Sequence, residues 1–292
     1  MSRLLLTRRS LLVGSAAGAA LWLGPFRVRQ PANPASTLVA DSFPALGTRV
    51  RVVIRTEERG QAQWAIRKAM AAVFDVHRTM TLHDESPLTV LNRRGSLEVP
   101  LSIATVLDAA MGVHRASGGV FDPTVSATVS GMGNVELDRA NRLVRLHHPG
   151  SSLDFNGIAK GFAVDCAVDA LRAAGFTDFL VNAGGDLYAA GSSEPDGDGW
   201  DVRLDVPGVT HGWQVSDRAV ATSGTIHQPH HLRNPAGDRS GRQSASVLAP
   251  SCMAADAWAT ALCVGDDPGA PGWGPGVEGE WVDANGAVVR PA

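Results

Sequence analysis

Apolar positions along this chain change period several times, and each change marks an element. Residues 49–55 alternate Arg-Val-Arg-Val-Val-Ile-Arg, the period-two pattern of a strand. Residues 61–80 place Trp64, Ile66, Ala69, Met70, Val73 and Val76 at helical spacing. Residues 102–117 do the same through Ile103, Val106, Leu107, Ala110, Met111 and Val113, and stop at Gly118-Gly119. Short strands are predicted at 143–146 and 152–155, then a helix over 158–173 closed by Gly175. Two strands, 179–182 and 186–190, join across Ala183-Gly184-Gly185. Strand signals follow at 200–205, 218–222 and 244–249, and a last helix at 254–264. This order predicts an α+β fold, with helices inserted between the strands of a mixed sheet. No fixed-period repeat or heptad run interrupts it.

The first thirty residues differ from the rest. They hold Arg3, Arg8, Arg9, Arg27 and Arg29 and no acid, and Thr7-Arg8-Arg9-Ser10-Leu11-Leu12 precedes an apolar run from Leu11 to Leu23. A basic region before an apolar run is the order of an export signal, and paired arginines point to the twin-arginine route. A membrane-spanning helix needs about 20 apolar residues, more than this run supplies. The alternative is an anchor kept after export, which would hold the protein at the inner membrane through its N-terminus. The expected division is a signal or anchor over 1–29, a linker over 30–38 containing Pro31 and Pro34, and one folded domain over 39–292. The expected location is outside the cytoplasm, in the periplasm or at the cell surface.

Composition narrows the function classes. The chain has 292 residues, 44% of them hydrophobic, enough for a large core. Without the five basic residues of the leader, 21 basic residues face 29 acidic ones, a balance of −8. With aromatics at 5%, neither a broad basic surface nor a stacking platform for nucleic acid is present. Cys166, Cys252 and Cys263 are too few and too scattered for a disulfide framework and read as small buried hydrophobes. The Gly-x-Ser-x-Gly, His-Glu-x-x-His and Walker motifs are absent, and no Gly-x-Gly-x-x-Gly follows a predicted strand.

Chemistry concentrates in short clusters beside glycines and helix starts. Residues 153–165 read Leu-Asp-Phe-Asn-Gly-Ile-Ala-Lys-Gly-Phe-Ala-Val-Asp. An acid, a glycine turn and a lysine at the mouth of a helix suit a phosphorylated ligand. Two of the 26 basic residues are lysines, so Lys160 is not background. The plain alternative for Asp154 and Lys160 is a capped helix with a surface lysine. Asp256 and Thr260 lie four apart in an alanine-rich helix and so share a face. With a carbonyl from Asn156-Gly157 they offer oxygens to a hard cation such as Mg²⁺, or they form a solvated pair. Thr222-Ser223-Gly224 ends a strand with hydroxyls and N–H groups that suit an anion, or forms a plain turn. Gly118-Gly119-Val120-Phe121-Asp122-Pro123 joins a helix to an extended segment, and residues 230–237 form a loop with His230 and His231.

In this order the clusters resemble the FAD:protein FMN transferases, the ApbE-like family. The matching segments are Ala45-Leu46-Gly47-Thr48, residues 74–92, 119–123 and 153–165, Asn182-Ala183-Gly184-Gly185-Asp186, residues 221–224, 231–237 and 255–260. The resemblance implies a single α+β domain related to the T-fold, with mixed sheets and flanking helices. It implies FAD as substrate, Mg²⁺ on its pyrophosphate, and transfer of FMN to a threonine or serine hydroxyl of an exported acceptor protein, with release of AMP. Flavin-contacting positions fall on Leu46, His83, Val120, Phe121, Asp122, Asp154, Lys160 and Leu232, with Thr222, Ser223 and Gly224 beside them. Metal positions fall on the Gly157 carbonyl, Asp256 and Thr260. His231 corresponds to the histidine that helps deprotonate the incoming hydroxyl. Leu46 stands where the family commonly has methionine, His83 where an aromatic often stacks, and Asn234 where an aspartate precedes proline. Two other activities share these residues: a Mg²⁺-dependent FAD pyrophosphatase yielding FMN and AMP, and a non-catalytic flavin-binding protein.

Overall fold

The segments of period two and of helical period fold largely where the pattern places them. The computed structural model describes residues 37–204, 211–224, 242–265 and 273–290, and the backbone of 20–23 and 26–29. Strands β1 (Ala20–Leu23) and β2 (Phe26–Arg29) precede the hairpin of β3 (Leu38–Ala45) and β4 (Thr48–Arg55). Next come α1 (Arg59–Met80), α2 (Pro87–Arg94), β5 (Ser96–Glu98) and α3 (Leu101–Ala116). A 3₁₀ turn at Met132–Asn134 leads to β6 (Val135–Asp138), β7 (Leu143–Leu146) and α4 (Ala159–Ala173). The second half holds β8 (Phe179–Ala183), β9 (Asp186–Ala190), β10 (Trp200–Leu204), β11 (Gly212–Val215) and β12 (Arg218–Gly224). It ends with β13 (Ser244–Ala249), α5 (Cys252–Val264), β14 (Glu278–Val282) and β15 (Val288–Val289).

Eight strands form the main sheet in the order β15-β14-β13-β12-β9-β8-β4-β3, beside smaller sheets β1-β2-β10-β11 and β5-β7-β6. The α+β class is as expected. The strand directions are not mixed, since every described pairing is antiparallel. The helices pack on one face of the main sheet, where Val50, Val52, Ile54, Val181 and Val247 join the helix side chains in the large core. On the other face Val53, Leu180, Leu187 and Val220 pack with Trp200, Val202 and Val215 of the β10–β11 sheet. Strands β8 and β9 are therefore buried on both sides, which explains their nearly unbroken apolar runs.

Helix α5 is buried almost all round, and Asp256 is the charged residue it carries inside. It lies between α4 and strands β12 and β13. Helix α1 buries Ala62, Ala65, Ile66, Ala69, Val73, Val76 and Met80, a continuous helical stripe. Trp64, assigned to that stripe by spacing, instead stands 49% exposed, with the Lys68 ammonium 5.4 Å from its ring centre. No described helix is long and apolar enough to cross a membrane.

Besides strands β3, β5, β6, β11, β14 and β15, which the pattern did not place, three segments differ from the sequence reading. Residues 152–155 are not a strand, although Leu153 and Phe155 are buried in strand-like alternation. Their backbone bonds go elsewhere: Leu153 exchanges two hydrogen bonds with the Asn92 side chain, at 2.8 and 2.9 Å, and the Asp154 N–H donates to the Pro123 carbonyl at 2.8 Å. Strand pairing also begins upstream of Val39, where the pattern placed the start of the fold, because β2 pairs with β10. Helix α2 carried a readable start and stop. Ser86 accepts from the Thr89 N–H at 3.1 Å, Pro87 opens the helix, and Gly95 closes it at φ +74°.

The Ser86 hydroxyl also donates to the Thr81 carbonyl at 2.7 Å, tying α2 to the end of α1. Ser86→Ala should therefore lower stability by about 1 kcal/mol, read from denaturant melts. An unchanged midpoint would show that this cap contributes nothing.

Candidate functional site

The candidate site lies where the start of α4 crosses α5. Three contacts hold it together. Asp154 Oδ1 accepts from the Asn156 N–H at 2.9 Å, closing the turn that leads into α4. The Asp154–Pro123 backbone bond ties that turn to residues 118–123. At Gly157 a Cβ would lie 3.1 Å from Thr260 Oγ1 and 3.3 Å from Phe121 Cε2, so this glycine brings the turn, Phe121 and α5 together.

One residue into α4, Lys160 pairs with Asp186 and lies 3.6 Å from Asp256 Oδ1. Both carboxylates are about 1% exposed, so the cluster buries two acids around one ammonium. Asp186 is on β9 and faces the helices with Tyr188, while Leu187 and Ala189 face the other core. Burial works against the charged lysine, yet the Asp186 and Asp256 carboxylates outweigh it and hold its ammonium above the usual range. Burial, then the Asp256 carboxylate, push Asp186 up to about 7 against the pull of Lys160. The cluster is therefore short of positive charge.

Asp256 is held by its other oxygen. Oδ2 accepts from the Gly161 N–H at 3.0 Å, inside the first turn of α4. One turn along α5, Thr260 Oγ1 lies 3.1 Å from Ser223 Oγ of β12. The donor set expected for a hard cation is thus gathered at one place, with Gly157 against Thr260 and Asp256 on the same helix face. Among the described residues no group of three His, Cys, Asp or Glu side chains could hold a metal. A set of one carboxylate, one hydroxyl and one carbonyl fits Mg²⁺, which keeps waters or phosphate oxygens in its remaining positions.

Several expected residues join this cluster and others do not. Gly157, Lys160, Asp256, Thr260, Ser223 and Phe121 meet, and Asp154 shapes the turn beside them. Val120 borders the end of α5, where a Cβ at Gly265 would lie 3.1 Å from its Cγ1. Asp122 Oδ1 is engaged by its own turn, accepting from the Thr124 N–H at 2.7 Å and hydroxyl at 2.6 Å. Thr222 Oγ1 pairs with Ser246 Oγ at 2.8 Å across β12 and β13, so alternation turns it away from Ser223 and α5. Gly224 ends β12, half-buried. Leu46 sits at φ +55° in the β3–β4 turn and packs on the large core. His83 is exposed in the turn between α1 and α2. His231 and Leu232 lie outside the described residues. The cysteines are free, Cys252 and Cys263 buried and Cys166 half-buried, in keeping with a packing role.

Three residues at the site had no role assigned from sequence. Asp186 stood inside a quoted motif, but its partner Lys160 is remote in the chain. Gly161 follows Lys160, and a Cβ there would collide with the Cys252 carbonyl and lie 2.8 Å from Met253 Cα. Asp165 accepts from the Cys252 and Met253 N–H groups at 2.7 and 2.8 Å.

The fold, an antiparallel sheet backed by helices, is shared with solved flavin transferases. The flavin transferase ApbE from Vibrio cholerae matches this fold with a TM-score of 0.74 at 21% identity, over 88% of this chain and 97% of that one. The sequence profile of the ApbE family matches residues 46–273, and the chain belongs to that family. A Chlamydia trachomatis protein named FAD:protein FMN transferase is 28% identical over 83% of this chain and 88% of its own length. A Rhodobacter capsulatus protein of the same name is 28% identical over 77% of this chain, which spans 51% of that longer protein.

Burial is the main reason that the Asp165 carboxyl is pushed up to about 6, against the two N–H groups that favour its charged form. Its folded value lies above the unfolded value of about 3.9, so its contribution to stability is complete below about pH 4 and is lost as pH rises through about 6. The melting temperature of Asp165→Asn relative to wild type should therefore climb between pH 4 and pH 7. A constant difference would contradict the raised value.

Proposed function

We propose that this protein transfers FMN from FAD to a threonine or serine hydroxyl of an acceptor protein, with Mg²⁺, releasing AMP. The observation that carries this reading is the meeting of Gly157, Lys160, Asp256 and Thr260 at the α4–α5 crossing of an ApbE-family chain. Transfer of a phosphoryl-linked group asks mainly for charge neutralisation and in-line positioning. When bound, Mg²⁺ supplies polarisation of the pyrophosphate.

The chain's own groups do the rest. Asp256 Oδ2 is tied to Gly161, which leaves Oδ1 for the cation beside Thr260 Oγ1 and the Gly157 carbonyl. Lys160 faces the same space and neutralises phosphate charge. Phe121 backs the turn at Gly157 and gives the nucleotide an apolar wall. The acceptor oxygen forms a bond to the phosphorus of the FMN half, the bond to the AMP phosphate breaks, and His231 takes the hydroxyl proton. The Arg8-Arg9 leader and its apolar run support export of the enzyme, with an acceptor that is itself exported.

Incubation with FAD, Mg²⁺ and an acceptor domain should give a fluorescent covalent band on a denaturing gel, with AMP in equal amount. Asp256→Ala should lower the rate at least about 100-fold, since the set loses its carboxylate. Wild-type activity in Asp256→Ala would remove the metal assignment. Free FMN formed without acceptor modification would point to hydrolysis instead.

A further inference from the structure

The first N–H groups of a helix have no partners inside it. At α4 the cap residue Ile158 supplies no side-chain bond, and the carboxylate that reaches the first turn, at Gly161, is Asp256 of α5. In return Asp165 of α4 reaches the first turn of α5, one oxygen on the Cys252 N–H and the other on the Met253 N–H. Each helix caps the other. Gly161 and Asp165 lie four apart on one face of α4, and Cys252, Asp256 and Thr260 lie four apart on one face of α5. The two carboxylate ties therefore act on the stripe that carries the proposed cation ligands. At the far end the Arg242 guanidinium donates to the Leu262 carbonyl and lies 4.4 Å from the Trp281 ring, so α5 is gripped at both ends.

We propose that Asp165 is a positioning residue for the cation site: by holding the first turn of α5 it sets where Asp256 Oδ1 and Thr260 Oγ1 stand. This rests on the reading that a hard cation binds there. Mg²⁺ demands near-octahedral geometry at about 2.0–2.1 Å, so a small slide or rotation of α5 weakens binding without removing a ligand. Loss of a group that orients metal ligands typically costs about 10–100-fold in affinity. A role in stability alone lowers the melting temperature and leaves the cation requirement where it was.

The test uses the full chain at neutral pH and two readouts. The first is Mn²⁺ binding read from its electron paramagnetic resonance, with displacement by Mg²⁺. The second is the Mg²⁺ concentration for half-maximal AMP release. Asp165→Asn should raise both midpoints about tenfold, with FAD affinity in the absence of metal unchanged. Ser251→Ala removes the hydroxyl that caps the Ala254 N–H at 3.3 Å at the same helix end, and should keep wild-type midpoints. A folded Asp165→Asn with wild-type midpoints overturns the proposal, as does an equal rise in Ser251→Ala. If Asp165→Asn does not fold, Asp165→Glu should show the same rise, and failure of both to fold assigns Asp165 to the fold and overturns the proposal. A wild-type protein that needs no Mg²⁺ and binds no Mn²⁺ overturns the underlying metal reading before any variant is compared.

Discussion

At Gly161 the backbone of α4 meets the start of α5 too closely for a side chain between them, and the arrangement of the site follows from that contact. Because the helices start against each other, their unpartnered N–H groups are within reach of carboxylates from the opposite helix. Asp256 and Asp165 fill those positions. The partial positive charge at each helix start favours an anion there, so capping and burial of the acids are one event. The same contact leaves one oxygen of Asp256 turned toward Lys160 and toward the space that a ligand would enter.

The main sheet supplies the other wall. Strands β8 and β9 are covered on both faces, which fixes the Gly184-Gly185 turn and with it the position of Asp186 under the helices. Two buried carboxylates share one ammonium, and removal of either partner of such a pair leaves an uncompensated buried charge. Burial of charge at this density is costly to a fold, and under the proposed function a ligand that brings cation and phosphate together would offset it. Ser223, on the helix side of β12, completes the wall through Thr260, whereas its neighbour Thr222 serves the pairing of β12 with β13.

Much of this was readable along the chain. The long helices α1, α3, α4 and α5 and the central strands showed their periods, and Lys160, Gly157, Asp256 and Thr260 stood out in clusters. What sequence concealed depends on contacts between distant segments. The alternation of Leu153 and Phe155 imitates a strand because both are buried, yet Asn92, some sixty residues earlier, takes the backbone bonds that a neighbouring strand would have taken. The pattern could place Asp165 and Gly161 on a helix, but their importance lies in which backbone of α5 they meet. Trp64 shows the converse: an apolar residue grouped with the stripe of α1, it lies two positions from both Ala62 and Ile66, on the opposite face of the helix, and stands in solvent.

The central claim is that the α4–α5 crossing holds a hard cation on the pyrophosphate of FAD. Its most direct measurement is an anomalous difference map from crystals grown with FAD and Mn²⁺ in place of Mg²⁺. The account predicts a peak at metal–oxygen distance, about 2.1 Å, from Asp256 Oδ1, Thr260 Oγ1 and the Gly157 carbonyl, bridged to FAD phosphate oxygens. A peak held by other residues, or FAD bound in full with no peak at Asp256, would contradict it.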